Sequence, residues 1–362
     1  MLFRAFKIFT LITTFVASVP ANSGPLEDFE KVGDYRWYSA NIRIPDSHSG
    51  EITHGSPHVI VEVGEFKPME GVPVVGDILY FHGFGDNYKN HVGLFSEWVK
   101  KGFRVITFNY PQHGRSFGDF LGRFGIRGLA WVGQRVEQIY TSSSTSRPLF
   151  LAGWSTGGLV VTRTLQGAQG FPTFSRPVRA AITYAPGVKV KLLIGEYGFV
   201  TNRTLVHGLE EGAAALMPAT PISPFLTPLF ALDLLRESKA SRTAVLSTEV
   251  PLLVFSAGSE DMYVNSGGTK DWVEYQTTKD VSIAHVVAEN AYHGLDNESD
   301  IRGGSVVRDL SAVFFATAAS ATPDDLRMNL SNVVNNFDQN NSSSPCKVTL
   351  NLFLRRSLQV NQ

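Results

Sequence analysis

The stretch Gly153-Trp154-Ser155-Thr156-Gly157-Gly158 carries the residue types that nucleophilic chemistry needs. A serine hydroxyl attacks only where it stands clear of its own backbone and another group takes its proton, and a G-x-S-x-G turn between strand and helix provides such a perch. The apolar run Leu149–Ala152 before the turn and the helical pattern through Leu165 after it supply that context. Glycines on both sides let strand and helix approach without Cβ clashes. The helix that follows aims its free N–H groups at negative charge developing beside the serine. Composition alone would produce this pentapeptide in roughly one chain in four of this make-up, so the rest of the pattern decides.

Ser155 needs a base, and the base needs an acid to hold its ring. Both residue types stand at the ends of later apolar runs. Leu252–Ala257 leads into Gly258-Ser259-Glu260-Asp261, and Val281–Glu289 leads into Asn290-Ala291-Tyr292-His293-Gly294. Among nine histidines, His293 alone follows the last strand pattern and precedes the last helix pattern. His285 falls inside an apolar strand, where a satisfied core residue belongs. Asp261 is the expected acid and Glu260 its rival, because adjacent residues at a strand end point in different directions. The other role open to Asp261 is the N-cap of a helix over Val264–Trp272. The backbone N–H groups of Phe84 and Thr156 are the expected oxyanion hole, since the glycines of His82-Gly83-Phe84-Gly85 let a carbonyl come close. His82 itself reads as a scaffold residue bonding neighbouring loops, and His113-Gly114 as turn structure beside the pocket.

The elements that must position these residues alternate along the chain. Tyr35–Ile44 and Val59–Val63 read as an antiparallel start, and Asp77–Phe81 is a strand ending at the His82 turn. Val92, Phe95, Trp98 and Val99 share one helical face, with Gly102 at the C-cap. Phe103–Tyr110 is the next strand, and Leu129, Val132, Val136 and Ile139 mark a second helix. After the Ser155 turn come strands at Val178–Ala185, Val250–Ala257 and Val281–Glu289, then a helix carrying Val306, Leu310, Val313 and Phe314. Strands apolar on both faces, alternating with helices, predict an α/β fold with a mostly parallel central sheet covered on each side. One interval, residues 191–249, has no strand pattern and is punctuated by Pro218, Pro221, Pro224 and Pro228. A segment this long within a compact domain is commonly functional, and it reads as a mostly helical cap over the serine.

Composition bounds the rest. A chain of 362 residues, 43% hydrophobic and 18% charged, can bury a large core, and its net charge of -1 gives no electrostatic basis for nucleic-acid binding. Residues 1–21 read as a signal peptide: Arg4 and Lys7 precede the apolar run Ile8–Val19, and small residues follow at Val19-Pro20-Ala21. Export, to a periplasm or out of the cell, is therefore expected, with an uncleaved membrane anchor as the alternative. Cys346 is the sole cysteine, which excludes an intramolecular disulfide. The expected organisation is a core in two parts, 22–190 and 250–321, interrupted by the cap. Residues 322–362 then form a polar linker and a tail lying outside the fold.

The pieces His82-Gly83-Phe84-Gly85, Pro111-Gln112-His113-Gly114-Arg115-Ser116, Gly153–Gly158, Gly258–Asp261 and Ala291–Glu298 resemble the α/β-hydrolase superfamily. Within it they resemble the branch of monoacylglycerol lipases, lysophospholipases and serine aminopeptidase-type hydrolases. They span about residues 75–320 in that family's order. The resemblance implies an α/β-hydrolase fold with a helical cap insertion and a serine hydrolase that cleaves carboxylic esters. Ser155, His293 and Asp261 would act through an acyl-enzyme, with neither metal nor organic cofactor. An apolar cap points to a small-molecule or lipid ester, such as a monoacylglycerol or lysophospholipid, reached through transient contact of the cap with a membrane surface. Amide cleavage or acyl transfer by the same three residues is the alternative, with Glu196, Glu210 and Glu211 of the cap available to hold a substrate amine. A binding module that keeps the pocket without turnover is a third reading. Two positions depart from the pattern: Asn109 stands where many relatives carry Asp, and Thr156 where proline iminopeptidases carry Trp.

Overall fold

The computed structural model describes residues 24–45, 52, 56, 58–111, 113–118, 125–141, 146–191, 228–259, 261, 263–322, 324–326, 330, 332–334 and 346–349. The expected signal segment, most of the cap with Glu196, Glu210 and Glu211, and Glu260 lie outside the described residues.

Among the described residues the strands form one nine-stranded sheet in the order β1-β2-β4-β3-β5-β6-β7-β8-β9. The antiparallel start is present: β1 (Gly33–Arg43) pairs with β2 (His58–Pro68) along its whole length, and β2 pairs antiparallel with β4. From there the sheet is parallel. It runs through β4 (Phe103–Phe108), β3 (Gly76–Phe81), β5 (Leu149–Trp154), β6 (Val178–Tyr184), β7 (Leu252–Ala257) and β8 (Ile283–Ala288). The inner strands β3, β5 and β7 are buried along nearly their full length, which is why they read as unbroken apolar runs.

Alternation along each strand sends side chains into two cores. Ile78, Tyr80, Phe150 and Phe255 face one side, under α1 (Gly24–Phe29), α2 (Val92–Lys100) and α7 (Gly304–Ser320). Leu79, Phe81, Leu151 and Val254 face the other, under α3 (Gly125–Thr141), α4 (Thr156–Leu165), α5 (Pro228–Ser241) and α6 (Ser266–Thr277). The described part of the 191–249 interval therefore adds a helix, α5, whose Phe230 is buried in the second core. None of the described helices is long and apolar enough to cross a membrane.

The tail departs from expectation. Leu326, Leu330 and Val334 are buried in the first core, and β9 (Cys346–Thr349) pairs antiparallel with β8, from His285↔Thr349 to Ala288↔Cys346. The tail is thus part of the fold rather than an appendage. The reason is that β8 is the last parallel strand, and its outer edge would otherwise present a row of unpaired backbone groups.

Candidate active site

In a parallel sheet the loops at the carboxyl ends of the strands share one rim, and residues far apart in sequence meet there. The turn after β3 carries His82–Asp86, β4 ends at Asn109, β5 at Ser155, the segment after β7 carries Asp261, and that after β8 carries His293.

Ser155 sits between β5 and α4 with φ 54° and ψ -113°, a left-handed conformation that a residue with a Cβ rarely adopts. Strain of this kind costs about 1–3 kcal/mol and persists only when the surroundings impose it. Here the Ser155 N–H donates to the Tyr184 carbonyl at 2.8 Å, and the Ser155 carbonyl accepts from Leu159 and Gly187 at 3.0 Å each. The glycine at 157 is sterically required, because a Cβ there would lie 2.0 Å from the Phe81 carbonyl oxygen.

The structure brings Ser155, His293 and Asp261 together. His293 Nε2 lies 2.8 Å from Ser155 Oγ, and His293 Nδ1 lies 2.9 Å from Asp261 Oδ2. A carboxylate oxygen only accepts, so Nδ1 carries the ring proton and Nε2 is left as the acceptor for the serine hydroxyl. The other carboxylate oxygen, Oδ1, accepts from the Tyr263 and Val264 N–H groups at 2.8 and 2.9 Å. Burial alone would raise the Asp261 pKa, but the His293 imidazole and these backbone donors outweigh it and hold the carboxyl below its ordinary range. The N-cap of α6 is Asn265, which accepts from Gly268 N–H, so Asp261 is free of that role. His293 lies between two aromatic rings, Trp154 and Tyr263, each with its centroid 5.0 Å away. The Trp154 indole N–H donates to the His293 carbonyl at 2.7 Å and fixes the backbone that carries the imidazole.

Thr156 opens α4, so its N–H is one of the donors that a helix start leaves without an intrahelical partner. Phe84 lies in the turn after β3, which is held by Gly85 N–H donating to His113 Nε2 at 3.0 Å. His82 Nε2 accepts from Tyr110 N–H at 3.0 Å, so both of these histidines tie loops together, as their sequence context suggests. Burial keeps His82 neutral, with its pKa lowered to about 3, and lowers that of His113 as well. His285 is also a satisfied core residue, 2.7 Å from Ser256 Oγ. The Phe84 ring meets the α5 ring of Phe230 at 5.2 Å, which gives the turn an apolar wall. Among the described residues no cluster of His, Cys, Asp and Glu could hold a metal ion.

Two further features have no local sequence signal. Asn109 bridges two partners: its side-chain N–H donates to Glu62 Oε2 at 2.8 Å, and its Oδ1 accepts from Tyr88 N–H at 3.2 Å. Glu62 is buried, so an Asp at 109 would set carboxylate against carboxylate, and an amide belongs there. The second feature is His91, buried between Asp86 and Asp296 beside the same rim. Asp296 stands in a motif visible in the sequence and Asp86 directly follows another, yet His91 and Asp296 are 205 residues apart, and nothing local pairs them.

Structures of known proteins share this architecture. A monoacylglycerol lipase from Paleococcus ferrophilus superposes with a TM-score of 0.52 at 16% identity, covering 71% of this chain and 99% of its own. A soluble variant of monoglyceride lipase from Saccharomyces cerevisiae gives 0.54 at 14% identity, covering 79% of this chain and 99% of its own. The fold is that of the α/β-hydrolases. A thermostable carboxyl esterase from Bacillus coagulans gives 0.53 at 14% identity, covering 78% of this chain and 99% of its own. Residues 73–222 of the chain match the family model described as "Hydrolase_4: Serine aminopeptidase, S33". No curated protein matches the chain in sequence. The family match and these structures agree in the α/β-hydrolase fold that the motifs resemble.

Proposed function

We propose that this hydrolase cleaves carboxylic esters through Ser155, His293 and Asp261, with a monoacyl lipid as substrate. The observation that carries the reading is the continuous chain of hydrogen bonds from Ser155 Oγ through the imidazole to Asp261, built on a strained turn at a helix start. As Ser155 Oγ attacks the ester carbonyl carbon, its proton passes to His293 Nε2, and Asp261 stabilises the imidazolium that forms. The oxyanion of the tetrahedral intermediate accepts from the N–H groups of Phe84 and Thr156. When the C–O bond to the alcohol breaks, His293 returns the proton to the leaving oxygen and acyl-Ser155 remains. Water then enters by the same route, giving the acid and free Ser155. An apolar wall that includes Phe84 and Phe230 suits an acyl chain, since each CH₂ buried contributes about 0.8 kcal/mol. Ser155→Ala is expected to abolish hydrolysis of p-nitrophenyl esters and labelling by a fluorophosphonate probe. Turnover near the wild-type rate would overturn the assignment.

The "Serine aminopeptidase" description of the family match favours a second reading, amide cleavage by the same three residues. Parallel assays of a monoacylglycerol and an aminoacyl anilide separate the two. The apolar segment ahead of the fold supports export of the enzyme, which fractionation of cells expressing the full chain would test.

A further inference from the structure

We propose that His91 is a positioning residue: its imidazolium, held between Asp86 and Asp296, bolts the turn that carries the oxyanion hole to the loop that carries His293. The inference rests on the hydrolase reading above and goes beyond it to three residues outside the Ser155–His293–Asp261 chain. His91 Nε2 lies 2.6 Å from Asp86 Oδ2, and its Nδ1 lies 2.7 Å from Asp296 Oδ2. The His91 and Asp296 side chains are fully buried and that of Asp86 nearly so. Asp86 follows Phe84 by two residues, and Asp296 follows His293 by three. A rigid bond between these aspartates is therefore a bond between the two halves of the site.

The charge arrangement explains why a histidine is suited to the position. Two buried carboxylates facing one another would repel strongly with no cation between them. A doubly protonated imidazole donates to both at once, in one plane and without a long flexible stem. Burial alone would lower the His91 pKa, but Asp296 and then Asp86 outweigh it and lift it to about 10. The group is thus a permanent cation at neutral pH. The groups facing the cluster from other elements include Tyr80 of β3, with its ring 5.0 Å from that of His91, Arg308 of α7, which donates to the Asp296 carbonyl, His82 and Tyr110 on the side of Asp86, and Tyr184 of β6 on the side of Asp296. Asn90 secures the other oxygen of Asp86 at 2.6 Å.

Trp154 offers a second route to the same end. Its ring lies 5.4 Å from that of His91 and 5.0 Å from that of His293, while its indole N–H holds the His293 carbonyl. The turn after β3 packs directly on this ring, since a Cβ on Gly83 would lie 2.4 Å from it. Loosening His91 would let three loops drift relative to one another, and a displacement of about 1 Å at reacting groups can cost a hundredfold in rate.

The test compares wild type, His91→Gln, Asp296→Asn and the double variant. The substrate is p-nitrophenyl butyrate, with active sites counted by end-point fluorophosphonate titration so that unfolded protein does not contribute. A substrate-independent measurement accompanies it: the low-field ring N–H resonance of His293, identified by its loss in His293→Gln. His91→Gln is expected to lower kcat per titrated site ten- to a hundredfold with KM within threefold, and to shift or broaden the His293 resonance. The double variant should lose no more than the worse single variant, because both substitutions cut the same link. Asp296→Asn keeps shape and size, and it carries the test should His91→Gln fail to fold. Wild-type kcat per site with an unmoved resonance in the folded variants would overturn the proposal, as would losses that simply multiply. Absence of ester turnover and labelling in the wild type would instead overturn the hydrolase reading, and the resonance would still report on the clamp.

Discussion

Single residues in this protein are held by their partners into roles that their types only permit. Asp261 shows this most plainly. One oxygen is taken by two backbone N–H groups and the other is left for His293, so a single turn fixes both the charge and its direction. Asn109 makes the converse point, because the site requires a residue that donates on one side and accepts on the other. Glu62, its acceptor, is drawn down below the ordinary carboxylate range despite its burial, with Lys89 the main cause and hydrogen bonds from Arg115 N–H and Asn109 assisting. Asn109→Asp should destabilise the fold by about 3 kcal/mol at neutral pH by leaving like charges buried together. The loss should shrink as the pH falls and one of the pair takes up a proton. Urea unfolding at two pH values measures it, and equal midpoints for variant and wild type would show that the amide contributes nothing.

At the scale of elements, the two ends of the parallel strands do different work. The carboxyl ends carry strained and polar loops, while the amino ends carry a stabilising charge network. Asp77, fully buried at the start of β3, accepts from Arg104 Nε and Arg176 Nη1 at 2.8 Å each. Arg176 also donates to the buried Glu137 of α3 at 3.0 Å, which ties β3, β4 and α3 to the chain leading into β6. Removing the central carboxylate leaves Arg104 with Glu65 and Arg176 with Glu137 as their remaining carboxylate partners, and breaking a buried ion pair costs about 3–5 kcal/mol where burial is complete. Asp77→Ala should therefore lower the denaturation midpoint sharply, with kcat per titrated active site unchanged. A variant that kept its stability but lost turnover would contradict this division between the two ends.

Across the whole molecule, buried histidines set the response to pH. Burial lowers His82 to about 3 and His285 to about 4, against about 6.5 for the unfolded chain. As pH falls from about 6.5 towards 4, the unfolded state binds protons that these folded sites refuse, so stability falls on acidification. His91 has the opposite sign. Its folded pKa of about 10 lies above the unfolded value, so its contribution is complete below about pH 6.5 and is lost as pH rises through 10. Among these groups the optimum is therefore near neutrality. Thermal melts should lose several degrees towards pH 4, and less so in His285→Gln, whose amide can still meet Ser256. The alkaline decline should weaken in His91→Gln. A flat profile in the wild type would show that these imidazoles titrate alike in both states.

Much of this protein is written locally. Leu252–Ala257 and Leu149–Ala152 declare themselves as inner strands because residues buried on both faces leave an unbroken apolar run. Ser155, Asp261 and His293 could be found because turns follow strand ends, and strand ends in a parallel sheet share a rim. Leu326, Leu330 and Val334 lie in the stretch that reads as outside the fold, and only the tertiary structure buries them in the first core. What the chain order does not contain is which loop meets which. The approach of His293 to Ser155 across 138 residues, the seating of His91 between Asp86 and Asp296, and the addition of β9 beside β8 all follow from strand order and crossovers. Periodicity and turn chemistry are short-range and fix faces and ends. Pairing between loops is decided only when the sheet is assembled and burial makes each polar group find a partner.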